Sequence, residues 1–223
     1  MTALPIAVVD LTVPAGPGRL AANPVDRLAF DGTGRRLAAL DRRGRLAVHD
    51  VVEDRPIPLR DLPMAVRSFA WVGRARDRIA SAHAEGVSIH SVSDGARIRS
   101  IDVEHGVVDL DVSGDGDLIA MVGDRLLLRR ISDDRFAPTA VPLPSPASRV
   151  ATSRDGRMVA VVTKDRRVRM YDASGQAAAT IEIPDAPDLP PILTPDGASI
   201  FTVVSENRMV RYGTRSGTRE SSM

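Results

Sequence analysis

The stretch "SRDGRMVAVVTKDRRVRMYD", residues 153–172, decides the fold. It opens on an Asp-Gly turn at Asp155 and Gly156, runs through the apolar stretch 158–162, and turns again at Lys164, Asp165 and Arg166. It then continues with Val168 and Met170 alternating with arginine. Alternation with a period of two is the pattern of a strand that buries one face, so the stretch reads as a β-hairpin. Its turn-then-strand phrase recurs as "FDGTGRRLAAL" from Phe30, "WVGRARDRIASA" from Trp71, "VSGDGDLIAMV" from Val112 and "LTPDGASIFTVV" from Leu193.

The anchoring aliphatics of the five copies, Leu37, Ile79, Ile119, Val159 and Ile200, stand 42, 40, 40 and 41 residues apart. The next residue is Ala38, Ala80, Ala120 and Ala160 in four copies and Phe201 in the fifth; a recurring small residue at one register marks close packing between neighbouring units. Each copy goes on to a second β-rich run ("RLAVHD", "GVSIHS", "RLLLRR", "RVRMYD", "RMVRYG"), and the last of these departs by placing Arg211 where the others carry an apolar residue. Segments such as "ARIRSIDV" and "ATIEIPD" supply a further strand, and lead-ins such as "VRSFAWV" and "SRVATSR" another. Four short antiparallel strands every 40 residues or so is the pattern of a propeller blade. The predicted fold is all-β, a single β-propeller domain of about five four-stranded blades, with repeats near residues 25–63, 66–103, 107–144, 148–185 and 188–213.

The chain resembles the WD-repeat family of β-propellers over essentially its whole length. The "SRDG" and "TPDG" turns at 153–156 and 194–197, Asp165 six residues before Tyr171, and the closing pairs Tyr171-Asp172 and His49-Asp50 carry the resemblance. The family's tryptophan is replaced in every copy, by His49, His90, Arg129, Tyr171 and Tyr212. The resemblance implies a non-catalytic protein–protein interaction scaffold, with another protein as partner.

Ring closure is predicted from the ends. "IAVVD" ends at Asp10, 20 residues before Phe30, as Asp50 precedes Trp71 by 21, so the N-terminal strands within 5–22 are expected to complete the last blade, leaving a tail after residue 213. An unfilled edge would invite pairing with another chain, so self-association or completion by a second chain is the rival expectation.

Composition narrows the partner. Thirty basic residues against 29 acidic give a net charge of +1, without the global field that draws nucleic acid or an anionic membrane. Aromatics make up 3%, too few for base-stacking platforms. The absence of cysteine excludes disulfides and thiolate metal sites, the first segment lacks a signal-peptide pattern, and no apolar run is long enough to span a bilayer. A cytoplasmic location with no nucleic acid, membrane or cofactor is expected.

In propellers the loops between second and third strands, and those joining successive blades, share one face. That rule places Arg42, Arg43, Arg67, Arg149, Arg166 and Arg167 there as candidate partner-binding residues, among Asp41, Asp124, Asp165 and Glu206. Guanidinium groups suit carboxylates through paired hydrogen bonds; solvated hairpin tips are the plain alternative. No metal site is expected: His83 and His105 alone are too few ligands, and the letters of "DVSGDGD", residues 111–117, are those an Asp-Gly turn requires. No nucleophile elbow, Walker loop or zinc-protease motif is present, so no catalytic residue is assigned. The alternative function, a lactonase- or glycosidase-like propeller hydrolase, would use carboxylates at the central channel, with Asp109, Asp111 and Asp188 as first candidates.

Overall fold

The computed structural model describes residues 24–73, 77–132, 138–183, 191–204 and 208–222. Among the described residues twenty strands form five four-stranded antiparallel sheets, there is no α-helix, and the architecture is a β-propeller. The first sheet holds β1 (Val25–Phe30), β2 (Arg36–Asp41), β3 (Leu46–Asp50) and β4 (Arg55–Ile57); the second holds β5 (Ser68–Val72), β6 (Arg78–His83), β7 (Gly86–Ser91) and β8 (Arg97–Asp102). The third contains β9 (Asp109–Val112), β10 (Leu118–Val122), β11 (Arg125–Arg130) and β12 (Thr139–Pro142), and the fourth β13 (Ala147–Thr152), β14 (Met158–Thr163), β15 (Arg167–Asp172) and β16 (Ala177–Glu182). β17 (Ile192–Leu193), β18 (Ser199–Val204), β19 (Arg208–Gly213) and β20 (Arg219–Ser222) make the fifth. Within each sheet the strands follow sequence order.

The repeat period becomes register. Leu37, Ile79, Ile119, Val159 and Ile200 on the second strands pair directly with His49, His90, Arg129, Tyr171 and Tyr212 on the third. The turn letters also have a mechanical role. The Asp31 carboxylate accepts the backbone N–H groups of Thr33 and Arg35, while Ser153 Oγ donates to Asp155 and accepts from the N–H of Met158 at 2.9 Å. Thr194 and Asp196 repeat this arrangement in the fifth sheet. Asp50 and Asp172, the acids that close "HD" and "YD", cap the next turn in the same manner. Short polar side chains recur because each turn needs its N–H groups satisfied locally.

The core lies between consecutive sheets. Trp71, Phe69 and Ile79 pack with Ala38, Leu40 and Val48 between the first and second. Ile89, Leu110 and Met121 join the second to the third, Leu126, Val150 and Val161 the third to the fourth, and Met170, Ile181 and Ile200 the fourth to the fifth. The recurring alanines are fully buried, as close packing requires.

The fifth sheet departs from expectation. Its fourth strand is β20, drawn from the segment read as a tail after residue 213, and β20 occupies the place beside β19 that the closure expectation gave to the N-terminus. Residues 5–22 themselves lie outside the described residues. The break at Arg211 has a partner to explain it: its guanidinium bonds Ser199 Oγ and Glu220, at 2.8 Å from the latter, and lies over the Phe201 ring. No apolar cluster of the described residues joins the fifth sheet to the first. On β1, Ala29 packs toward the second sheet while Leu28 and Phe30, on the opposite face, stay about half exposed, and Ile192 of β17 is exposed as well.

Candidate interaction face

Turns between first and second strands, and between third and fourth, lie at one end of the sheets; the β2–β3-type turns and the connections between sheets lie at the other. At this second end the chain brings together what the sequence scattered. A cavity of about 490 Å³ is lined by Arg42 and Arg43 from the β2–β3 turn, Ala65 and Arg67 from the segment leading into β5, and Val108 and Arg149 from the third and fourth sheets. Four of the six predicted arginines therefore converge.

Backbone contacts hold these loops against one another. The Val66 N–H donates to Gly44 O at 2.9 Å, tying the connection before β5 to the β2–β3 turn. Gly44 has φ +75°, and a Cβ there would lie 2.7 Å from Ala65 Cα, so glycine is needed both for its conformation and for the approach. The Asp41 carboxylate caps the turn by accepting the N–H groups of Arg43 and Arg45 and pairs with the Arg45 guanidinium at 2.7 Å. Against the burial that would raise it, the Arg45 hydrogen bonds hold this carboxyl below its ordinary range. A β-bulge between Ala147 and Arg149 offsets the start of β13, the device by which strands re-aim a side chain at a rim.

Val108 and Arg149 also line a second cavity, of about 430 Å³, with His105, Asp124, Ser148 and Lys164. Arg166 and Arg167 line neither. Arg166 occupies the tip of the β14–β15 turn with φ +61°, and Arg167 is paired with Glu182 at 2.6 Å on the sheet surface. Of the predicted acids, Asp124 is 3.6 Å from Arg125, and Asp165 holds Arg169 at 2.6 Å; the Arg169 hydrogen bond pulls the Asp165 carboxyl far below the usual range. Glu206 lies outside the described residues. Sequence reasoning missed Lys164, Val108 and His105 as lining: Lys164 stands in the second turn of the 153–172 stretch, where it reads as a turn residue, and Val108 and His105 lie in the connection between β8 and β9.

The channel carboxylates hold the sheets together. Asp109 on β9 receives Ser68 Oγ of β5, Arg27 Nη1 of β1 at 3.3 Å and the Val150 N–H of β13 at 3.0 Å, so one buried side chain ties four sheets. Asp111 accepts both the N–H and the hydroxyl of Thr152, at 2.8 and 3.0 Å. Burial pushes its carboxyl above the ordinary range, against the pull of those bonds. Asp188 lies outside the described residues. At the opposite end of the channel, a cavity of about 540 Å³ is lined by Gly32, Gly114, Thr152, Arg154 and Pro195, bringing first, third, fourth and fifth sheets to one space.

The remaining letters of 111–117 are divided among different tasks: Asp115 accepts Ser113 Oγ within its turn, and Asp117 pairs with Arg130 at 3.1 Å. Both ring nitrogens of buried His83 are engaged, with Ser88 Oγ at 3.0 Å and the Glu85 N–H at 3.2 Å, whereas His105 is exposed. Among the described residues no cluster of three or more histidine and carboxylate ligands is assembled.

Comparison with known proteins supports the architecture and stops there. The profile of a family of unknown function (DUF6476) matches residues 116–184, under a third of the chain. No curated protein matches its sequence. Among solved structures the chain is similar to the Cps50 (Swd1) β-propeller domain of Myceliophteria thermophila, with a TM-score of 0.68 and 16% identity, over 85% of this chain and 67% of that one. Identity at this level speaks for the fold alone.

Proposed function

We propose that the protein is a non-catalytic interaction scaffold in the cytoplasm that binds another protein on the face built from Arg42, Arg43, Arg67 and Arg149. The observation that carries this reading is the convergence of those four side chains, from the β2–β3 turn, the connection before β5 and the start of β13, on one cavity. Rigid sheets hold short loops in fixed relation, and a composite surface of that kind recognises a partner without chemistry of its own. The likeness to a WD-type propeller domain agrees with this use of the fold. Among the channel carboxylates that a hydrolase would need, Asp109 is committed to holding sheets together, which supports the scaffold over the hydrolase. The test is charge reversal: Arg42→Glu combined with Arg67→Glu abolishes partner capture while the melting temperature stays within a degree or two. Undiminished capture contradicts the reading.

A second mode of association, through self-pairing or completion by another chain, is favoured by the exposed Leu28 and Phe30 on β1 and Ile192 on β17, the first strands of the first and fifth sheets. Light scattering of the full chain, with Leu28→Ser and Phe30→Ser for comparison, decides it. A dimer that the substitutions dissolve supports this mode, and a monomer throughout removes it.

A further inference from the structure

We infer that the binding partner presents an acidic, carboxylate-rich peptide segment, laid along a groove that runs from the β2–β3 turn to Lys164; the inference rests on the interaction-face reading above. The two cavities share Val108 and Arg149 in their lining and so adjoin. Their cations are Arg42, Arg43, Arg67, Arg149 and Lys164. Elsewhere several arginines are matched, Arg35 with Asp50 at 2.9 Å, Arg130 with Asp117 at 3.1 Å, Arg167 with Glu182 at 2.6 Å and Arg211 with Glu220 at 2.8 Å, while others such as Arg60, Arg97 and Arg154 stand apart from any carboxylate among the described residues but are not gathered on one cavity. Among the described residues, none of the five groove cations has a carboxylate within 4 Å. Two of the three lining acids are engaged by arginines outside the groove, Asp41 by Arg45 and Asp124 by Arg125.

Hydrogen-bonding capacity is left over in the same place. Arg149 spends one donor on Ser148 O at 2.9 Å, and Arg67 makes a long 3.4 Å contact with Val107 O. A guanidinium has five donors in a planar fork, and a carboxylate is the acceptor that matches two of them at once. The adjoining cavities draw contributions from four sheets, a shape suited to an extended segment rather than a compact ligand. Exposed Val108 sits where the two halves meet, with exposed Met64 beside the lining residue Ala65, so apolar contact is available between the charged positions. Neither cavity is lined by Phe, Tyr or Trp and the one ring present is the imidazole of His105, which leaves little of the stacking platform that single-stranded nucleic acid would use and favours a peptide.

The experiment is fluorescence anisotropy on the full chain with a labelled glutamate-rich peptide, its glutamine counterpart, and a single-stranded oligonucleotide of equal length. The glutamate peptide is expected to bind and the glutamine peptide not to. Arg67→Gln and Arg149→Gln are each expected to weaken binding about tenfold, and added salt to weaken it further, as for charge pairs at an accessible surface. Arg157→Gln, at the opposite end of the sheets, changes nothing. No binding of the glutamate peptide, binding indifferent to Arg67 and Arg149, or tighter binding of the oligonucleotide overturns the inference. If the peptide fails while charge reversal at Arg42 and Arg67 still abolishes partner capture, the face is right and its ligand class wrong. If both fail, the interaction-face reading falls too.

Discussion

Asp109 and Val150 stand 41 residues apart, one repeat, and the Val150 N–H donates to Asp109 Oδ2 at 3.0 Å. Ser68 lies one repeat before Asp109 and Arg27 one before Ser68, and both bond the same carboxylate. The four residues occupy the same register on β1, β5, β9 and β13, so the innermost strands are linked at one level. Asp109→Ala leaves the buried Ser68 hydroxyl and Val150 N–H without their acceptor and is expected to cost roughly 3 kcal/mol, at about 1–3 kcal/mol for each group left unsatisfied. For a chain of this size that lowers the melting temperature by about 6–12 °C. Asp109→Asn keeps an acceptor for Val150 and should lose less; equal losses in calorimetry would mean that the charge is what matters.

Asp111 behaves oppositely. Burial raises its carboxyl, so the unfolded chain gives up this proton before the folded one does, and the group's contribution to stability declines as pH rises from about 4 through the raised folded value. Asp111→Asn keeps an oxygen for the Thr152 N–H without the charge. Its melting temperature should exceed wild type at pH 7, with the gain shrinking as pH falls to about 4; a constant difference across that range would contradict the assignment.

His90 is fully buried, with Nε2 2.9 Å from Arg60 O. Burial lowers its pKa, Arg97 and His83 act in the same direction, and the Arg60 carbonyl and Asp61 oppose it. The unfolded chain therefore binds a proton at about pH 6.5 that the folded chain refuses, and stability falls as pH drops below that value. Buried His83 adds to the same loss. His90→Phe should flatten part of the decline in melting temperature between pH 7 and 5, at about 2–4 °C per kcal/mol recovered. An unchanged slope would leave His83 alone responsible.

Gly44 joins stability to binding. Its positive φ and the 2.7 Å approach to Ala65 mean that Gly44→Ala must push the β2–β3 turn away from the connection before β5. The expected result is a loss of roughly 1–3 kcal/mol together with weaker partner binding, since Arg42 and Arg67 move apart. Gly34→Ala has open space around its Cβ and only the φ penalty, and should leave binding untouched.

The repeat was legible because each turn demands the same chemistry: Asp31, Ser153 with Asp155, and Thr194 with Asp196 all satisfy local N–H groups, and local demands leave local letters. The face holding Arg42, Arg43, Arg67 and Arg149 followed from topology alone. Arg166 and Arg167 stand at the same end of the sheets, as topology places them, but outside the cavities, because adjacency in sequence says nothing of pairing: Arg167 on β15 meets Glu182 on β16, fifteen residues away. The Asp109 network left no phrase, since its partners are an arginine, a serine and a backbone N–H, related only by the period. The strand β20 was missed because "RESS" lacks apolar alternation; its backbone pairing with β19 and the Glu220–Arg211 contact place it.

The measurement that tests the central claim most directly is site-specific photo-crosslinking of the full chain in the cell that makes it, with the reactive side chain at Val108 or at Val52. Both are solvent-exposed, Val108 in the groove and Val52 in the β3–β4 turn at the opposite end. The account predicts a discrete adduct from Val108, lost when Arg67 and Arg149 are replaced by glutamate, and none from Val52. An adduct from Val52 alone, or equal adducts from both, would contradict it.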